Sequence, residues 1–373
     1  MKAKSIILLL AWSTLMADCQ SDDDGQAVPQ ERTAPIAFSV EVASDEMTRG
    51  ANAMNTSDAL ATKGGFGVFA SYTGLHKFVD SSIQSDFMYN THVAYDDVNS
   101  VWSYDPVKYW PNGEGQASGA AKHYVSFFAY APYSDQDPEN AAGYCIPSFH
   151  LQHEVTNPWL TYRLHTDPAQ QVDLMYAVPL LDRSKGDVPT REVFTFRHAL
   201  ACVGDRVTVS VDDALKTAYR ALVGGATVGM GIELTGITLN YRLTERARLV
   251  LWTGGEANWQ PIVSGDALTS RQIVVKDIDD GSPYLLWNYD SSLGETNTPW
   301  TDDGHGIFYI PLHLSGAPQT VEVTIDYNVI TTRSSGAVVH EGKRSTTTLT
   351  LSDFGDAYQA GRHLNLNMKL VSS

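Results

Sequence analysis

Apolar residues recur at every second position in many short runs of this chain, beginning at residue 36. Ile36, Phe38, Val40 and Val42 alternate with small or polar residues, and a period of two is typical of strands with one buried face. β-branched and aromatic residues fill the runs, whereas Gly, Pro, Asn and Asp lie between them. Because the one helical signal, at residues 212–223, is weak, the pattern predicts an all-β protein of antiparallel β-sandwiches.

The last run repeats the pattern of the first. Its four apolar residues are Leu364, Leu366, Met368 and Leu370, which alternate with Asn and Lys. The runs between the first and the last lie at residues 68–69, 123–130, 194–197, 207–211, 237–241, 248–252, 272–275, 307–312 and 321–329. We expect the first and last runs to be strands that each present four apolar side chains on one face.

A stretch rich in proline and charge, residues 181–189, divides the strands into two groups. We therefore expect an N-terminal sandwich at residues 34–185 and a C-terminal one at 190–373. Residues 253–306 are rich in Gly, Asp and Asn, which predicts long loops, and loops often carry binding sites. Three tryptophans make this segment a candidate ligand loop: Trp259, Trp287 and Trp300.

The N-terminus has the features of an export signal followed by a tether. Lys2 and Lys4 precede a short apolar run at residues 6–12, which predicts a signal peptide over residues 1–18. Cys19 then resembles the lipidated cysteine of a bacterial lipoprotein box, although Met16 and Asp18 depart from its usual residues. Residues 19–33 form an acidic linker, which is similar to the tag of surface-exported Bacteroidetes lipoproteins. The alternative is an ordinary signal peptide cleaved near residue 17.

Composition narrows the classes of partner. The 373 residues include 26 Lys and Arg against 43 Asp and Glu, a net charge of −17, which argues against nucleic acid and anionic lipid as partners. Three cysteines are too few for a disulfide scaffold. Cys145 and Cys202 either pair in an oxidising compartment or remain buried thiols.

No motif in the sequence predicts catalysis, a cofactor or a metal site. His150, His153 and Glu154 lack the order of a zinc protease motif, and the Asp-Gly pairs at residues 280–281 and 303–304 favour turns over Ca²⁺ loops. His198 is expected to bond a backbone carbonyl in the core. A hydrolase built on acidic loop residues stays an alternative that needs two paired carboxyls in a cleft.

Several segments together resemble the fimbrillin superfamily, the pilus and pilus-like lipoproteins of Bacteroidales. They are MTR at 47–49, GFGVFA at 65–70, FMYN at 87–90, WSYDPVKYWP at 102–111, VSFFAYAPY at 125–133, FRHAL at 196–200 and AGRHLNL at 360–366. The resemblance implies two transthyretin-like β-sandwich domains in tandem. It also implies a non-enzymatic, structural or adhesive subunit of a fimbria, held at the outer membrane by a lipid anchor. Its partners would be other subunits and surface ligands of the host or of bacteria.

The resemblance further implies assembly by strand exchange. In the family, trypsin-like cleavage after an arginine precedes polymerisation, and the matching residues here are Arg49 and Gly50. Cleavage would cut the first strand (Ile36, Phe38, Val40 and Val42) from the body and open its groove to β-augmentation. The last strand (Leu364, Leu366, Met368 and Leu370) is the expected donor. Three alternatives stay open: an uncleaved Arg49, a last strand that only completes its own domain, and a non-polymerising lipoprotein that stacks glycans on Trp259, Trp287 and Trp300.

Overall fold

Strands dominate the structure, a computed structural model that describes residues 35–43, 54, 56–78, 87–111, 122–135, 148–150, 159–165, 167–185, 190–251, 255–262, 268–277, 283–312 and 318–372. The strands of the first half are β1 (Phe38–Val42), β2 (Phe66–Gly74), β3 (Met88–Asp96), β4 (Val101–Ser103), β5 (Tyr124–Ala131), β6 (Ser148–His150), β7 (Trp159–Arg163), β8 (Met175–Ala177), β9 (Leu180–Arg183), β10 (Glu192–His198) and β11 (Ala201–Val211). Those of the second half are β12 (Thr227–Thr244), β13 (Arg246–Val250), β14 (Asn258–Gln260), β15 (Leu268–Lys276), β16 (Tyr284–Asp290), β17 (Gly294–Asn297), β18 (Trp300–Asp303), β19 (Ile307–Tyr309), β20 (Thr320–Arg333), β21 (Val338–Thr350) and β22 (His363–Leu370).

Helices contribute little to the fold. Helix α1 spans Ser57–Thr62, and α2 spans Asp213–Arg220, where the sequence carries its weak helical signal. Within the described residues, 3₁₀ segments lie at Pro168–Gln170 and Leu351–Ala357. The expected all-β class is confirmed.

The described strands form four sheets. The first has the order β1-β10-β8-β5-β2-β3-β4, with β9 also beside β5; the second has β18 and β19 on one side of β11 and β22 on the other. The third has the order β17-β16-β12-β20-β21 with β15 also beside β12, and the fourth has the order β14-β13-β7-β6. Within the described strands, the pairings are antiparallel except for β1 with β10 and β11 with β22. Among the described strands, β1 and β22 each pair with one neighbour, so both are parallel edge strands.

Two sheets combine strands from both sides of residues 181–189. Strand β10 follows that stretch yet lies between β1 and β8 in the first sheet, and β7 precedes it yet pairs with β13. Residues Thr33–Ser373 form one compact unit. The division into domains at 34–185 and 190–373 stays a prediction, and the hydrogen-bonded sheets cross it.

The centre of the first sheet is buried on both faces. Phe66, Val68 and Phe127 point into the core beneath β1, whereas Phe69 and Phe128 join the large core of the second half. Strands β2 and β5 consequently read as nearly continuous apolar runs rather than as alternating ones.

Glycine is required where the chain enters β2. Gly65 has φ +77°, and a Cβ there would lie 2.1 Å from the carbonyl oxygen of Val93. A second glycine, Gly67, leaves room for the ring of Tyr130, whose Cε1 would be 2.4 Å from an added Cβ. Close packing of β3 and β5 against this strand explains the glycine-rich GGFGVF segment.

The segment 253–306 contains five described strands, β14 to β18, in place of the expected long loops. Strands β16 and β17 form a hairpin, and β18 pairs with β11. Several of its Gly, Asp and Asn residues, such as Asn288, Asp290 and Gly294, lie within these strands, which are largely exposed; this is why the composition alone resembles that of a loop.

Candidate functional site

Strand β1 lies at the edge of the first sheet, parallel to β10. Phe38 is opposite Glu192 and Val42 is opposite Phe196. Two hydrogen bonds close the ends of the pairing: the Glu192 N–H donates to the Ala37 carbonyl at 2.8 Å, and the Ala43 N–H donates to the Phe196 carbonyl at 2.8 Å. In the described part of the chain, β10 is the strand that pairs with β1 along its length.

The side chain of Phe38 anchors β1 in an aromatic pocket. Its ring is 5.3 Å from that of Phe194 in a stacked arrangement and 5.7 Å from that of Phe127 at nearly right angles. Phe66 and Tyr104 complete the contacts. Ile36 and Phe38 are buried, while Val40 and Val42 are half-buried. The four apolar residues therefore face the core as the period-two pattern predicts, but burial is concentrated at the start of the strand.

A short segment at residues 104–109 covers the beginning of β1. The Tyr104 hydroxyl donates to the Ile36 carbonyl at 2.8 Å, and the Ile36 N–H donates to the Lys108 carbonyl at 2.9 Å. Burial raises the pKa of the Tyr104 phenol to about 12, so it remains a donor at neutral pH. The clamp that Tyr104 and Lys108 form on the backbone of Ile36 was not identified from the sequence. There the WSYDPVKYWP segment served only as part of the family resemblance.

A buried ion pair lies beside the anchor. The side chain of Glu192 is 1% exposed, and Arg183 Nε donates to both of its carboxylate oxygens, at 3.1 and 3.0 Å. Burial raises the pKa of Glu192, and the guanidinium of Arg183 opposes that rise. Removal of β1 would take away the chain segment paired with Glu192.

The last strand, β22, occupies a matching edge position in the second sheet. It pairs in parallel with β11 from Cys202 opposite His363 to Val211 opposite Leu370. The register shifts between Val203 and Val207, where Gly204 adopts φ +79°. Leu366 and Leu370 are buried, and Leu364 and Met368 pack partly buried against the same core. In this structure β22 thus completes a sheet of its own chain, the alternative that the sequence left open.

Two histidines lie near the start of β22: His363 is half-buried and His198 is buried. Burial lowers the pKa of His363, while Asp205, whose Oδ2 is 3.9 Å from His363 Nδ1, opposes that change. His198 Nδ1 lies 2.7 Å from Asp173 Oδ2, which also accepts the Met54 N–H at 3.0 Å. His198, which was expected to bond a backbone carbonyl, thus bonds through Nδ1 to a carboxylate that itself accepts a backbone amide. Cys202 is a buried, free thiol.

Two of the three tryptophans of the candidate ligand loop are core residues. Trp287 is fully buried and its Nε1 donates to Glu295 at 2.7 Å; Trp259 is 7% exposed and its Nε1 donates to the Ala199 carbonyl at 2.7 Å. Trp300 is half-buried and packs against the large core. Trp259 and Trp287 do not offer a free ring face, so the expectation that they form stacking platforms is corrected.

The remaining predicted sites lie mostly outside the described residues. These are Cys19, the linker 19–33, Arg49, Gly50 and Cys145. His150 belongs to β6, but residues 151–158 are not described. Asp303 pairs with Arg206 at 2.7 Å, and Asp302 lies 3.1 Å from His305. Among the described residues, no group of three or more His, Cys, Asp or Glu side chains is placed to hold a metal, and no helix has the length and apolar character that crossing a membrane requires.

Comparison with known proteins shows the family. Residues 48–367, most of the chain, match the fimbrillin-like family. A fimbrial protein from Bacteroides vulgatus ATCC 8482 shares the fold with a TM-score of 0.57 at 18% identity, over 85% of this chain and 90% of that one. A candidate cell adhesion protein from Bacteroides uniformis ATCC 8492 aligns over 86% and 99% of the two chains at 12% identity, with a TM-score of 0.35. No curated protein matches.

The family match accounts for the motifs spread along the chain. It supports a fimbrial or adhesin-like role at the cell surface and a structural rather than an enzymatic protein. This all-β chain, whose first and last strands both lie in parallel at sheet edges, belongs to the fimbrillin-like family.

Proposed function

We propose that this protein is a subunit of a bacterial surface fimbria that polymerises by exchange of strand β1. The observation that carries the proposal is the position of β1: it is an edge strand, its Phe38 fills an aromatic pocket, and the chain that follows contains Arg49. Cleavage after Arg49 separates β1 from the body, so that β1 is then held by noncovalent contacts alone. Its departure leaves unpaired backbone groups on β10 and an empty pocket lined by Phe66, Phe127 and Phe194.

The proposed donor is β22 of a neighbouring subunit. It carries four apolar residues at the same period as β1, and it already pairs in parallel with its neighbour in the sheet, which is the orientation that the place beside β10 accepts. Donation requires β22 to leave β11. Each subunit would then give one strand to the groove beside β10 of the next subunit, which links subunits along a fibre. The groups on β11 that β22 now pairs would be exposed at a sheet edge.

The precursor is proposed to be an exported lipoprotein. Its signal peptide covers residues 1–18, Cys19 carries the lipid, and residues 19–33 tether the folded part to the outer membrane. Metabolic labelling with palmitate tests this part: the wild-type protein is expected to incorporate the label and Cys19→Ala is not. Equal labelling of both proteins would contradict it.

Limited proteolysis tests the exchange. Arg-specific cleavage of the chain is expected to give a body that begins at Gly50 and forms ladders that withstand mild detergent. Arg49→Ala is the matched control and is expected to remain uncut there and unladdered. Complete cleavage at Arg49 with no ladder would contradict the proposal.

A substitution in β22 tests the donor. Leu364→Thr with Met368→Thr changes two half-buried residues and keeps the buried Leu366 and Leu370, so the strand retains the anchors of its own sheet. Cleaved chains with these changes are expected to ladder much less than the wild type. Unchanged laddering, or laddering after deletion of residues 364–373, would exclude β22 as the donor.

A further inference from the structure

The outer edge of the third sheet is a long exposed strand. β21 spans Val338–Thr350 and pairs on one side with β20; none of the other described residues pairs with its outer side. Residues 338–344 are all exposed, with Val338 at 52% and Val339 at 51%. Soluble proteins usually shorten, bend or cover an edge of this kind, because its free backbone groups can pair with another strand.

The register with β20 identifies which backbone groups are free. At the turn the Arg333 N–H donates to the Ala337 carbonyl at 2.8 Å, and at the far end the Leu351 N–H donates to the Gln319 carbonyl at 2.9 Å. Both pairs are in register with the unshifted β20–β21 ladder. Because hydrogen-bonded pairs alternate in antiparallel strands, the odd-numbered residues of β21 bond to β20. The even-numbered residues therefore direct their N–H and C=O groups outward.

The charges of β21 favour one of the registers in which two copies can pair. Glu341 and Lys343 flank Gly342 and lie on the same face, where they form an ion pair within the chain. In an antiparallel pair of two β21 strands, a two-fold axis through Glu341 or Lys343 would place like charges directly opposite each other. An axis through Gly342 instead places Glu341 of each copy opposite Lys343 of the other. It also brings the outward-directed even residues together.

The neighbours of Gly342 permit this register. A Cβ at Gly342 would meet only Asn328 Oδ1, at 3.9 Å, so the centre of the strand is open. On the other face His340 would come opposite Arg344, whose guanidinium already binds Asp326 at 2.7 and 3.1 Å. At the ends, Val338 comes opposite Thr346, and Val339 opposite Ser345. These are pairs without like charges.

We propose that β21 is an interface at which a second copy of this chain adds edge to edge, antiparallel about Gly342. The contact extends over residues 338–346 of each copy and joins two six-stranded sheets into one. It uses a different strand from the exchange of β1 and β22, and it forms without cleavage at Arg49. It therefore gives sideways association of subunits, in addition to any growth along a fibre.

Sedimentation velocity tests the interface by a charge swap. The full chain is used, and every protein carries Arg49→Ala so that it remains uncleaved. Lys343→Glu and Glu341→Lys each place like charges in both symmetry-related pairs, and are expected to weaken dimerisation roughly tenfold. The double swap, Glu341→Lys with Lys343→Glu, restores opposite charges and is expected to return the dimer to within a few-fold of the wild type. Lys77→Glu makes the same charge change at an exposed site elsewhere and is expected to have no effect.

Disulfide trapping tests the register. Gly342→Cys is expected to form a covalent dimer on oxidation, because Gly342 of one copy faces Gly342 of the other. Thr346→Cys lies on the same edge but faces Val338, and is expected to form no more dimer than the parent chain. A chain that stays monomeric at every concentration, dimerisation that ignores the charge swap, or equal trapping at Thr346 would each overturn the proposal. The ladder assay after cleavage is separate, so its failure would leave this test intact.

Discussion

The two terminal strands occupy equivalent places but are held differently. Both β1 and β22 are parallel edge strands with four apolar residues at period two. β1 is a five-residue strand whose one buried side chain is Phe38, at the covered end next to the buried Ile36. β22 is eight residues long and buries Leu366 and Leu370 at separate points; like β1, it is hydrogen-bonded beyond both ends. There the Cys202 N–H donates to the Arg362 carbonyl, and the Asp212 N–H donates to the Leu370 carbonyl, each at 2.9 Å.

This difference indicates which strand leaves more readily. A strand with one main anchor detaches once that anchor leaves its pocket, whereas a strand with contacts along its length loses them in several steps. We therefore expect β1 to be the strand that is displaced first. Four predictions test this contrast, from the largest effect to the smallest.

Phe38→Ala is expected to lower the free energy of unfolding by about 3–5 kcal/mol, because it empties the pocket that anchors β1. Val40→Ala, two residues along the same face but half-buried, should cost about 1 kcal/mol. Urea denaturation of both variants measures the contrast. Equal losses at the two positions would show that the contacts of β1 are not concentrated at Phe38.

Leu366→Ala is expected to cost about 2–4 kcal/mol, and Leu370→Ala a similar amount, because each removes one of two separate buried anchors of β22. The same denaturation experiment measures both losses. A large loss at one of these leucines with almost none at the other would contradict the distributed attachment of β22.

Tyr104→Phe is expected to cost about 1–2 kcal/mol, because it leaves the Ile36 carbonyl without the donor from residue 104. Hydrogen exchange should show faster exchange at the amides of β10 that pair with β1 and no change at β11. Equal changes in both sheets would mean that the hydroxyl does not act on β1 in particular.

Changes of pH are expected to affect the two edges in opposite directions. The folded-state pKa of Glu192 is raised. The contribution of Glu192 to the stability of the fold is therefore present at acidic pH and is lost as the pH rises through that pKa. The folded-state pKa of His363 is lowered. The contribution of His363 to the stability of the fold is therefore present above the ordinary pKa of histidine and is lost as the pH falls through the lowered pKa. Acidification should therefore loosen β22 relative to β1.

Two substitutions isolate the titrating groups. Glu192→Gln should remove the loss of stability on raising the pH, and His363→Asn should remove the loss on lowering it. Hydrogen exchange of β10 and β11 across the pH range from 4 to 7, about the ordinary values of the two groups, provides the readout. An identical pH profile for both edges would contradict this contrast.

The sequence predicted which residues face the core but not which strands pair. Period-two alternation placed Ile36, Phe38, Leu366 and Leu370 on buried faces, because alternation follows directly from strand geometry. It contains no information about neighbours, so the parallel pairing of β1 with β10, across the stretch at residues 181–189, was not predicted. The same alternation predicted the all-β class, and the family resemblance identified the two terminal strands as the segments of interest.

The prediction of long, ligand-binding loops at residues 253–306 was wrong for a different reason. Gly, Asp and Asn occur within the described strands of residues 253–306, which are largely exposed, so a loop-like composition does not exclude strands there. Trp259 and Trp287 lie within such strands, and a ring buried by a distant part of the chain cannot be distinguished from an exposed one by composition. The clamp formed by Tyr104 and Lys108 was missed for the same reason. Tyr104 is separated by 68 residues from the Ile36 carbonyl that it binds.

A disulfide lock on β1 tests the central claim most directly. Ser39 and Val193 are register partners on β1 and β10 and lie on the face away from the Phe38 pocket, at a separation that a disulfide can span. After cleavage at Arg49, oxidised Ser39→Cys with Val193→Cys is expected to form no ladder, and reduction is expected to restore the wild-type ladder. The wild type, oxidised and reduced in the same way, is the control. Ladders formed by the cleaved and fully locked chain would contradict displacement of β1.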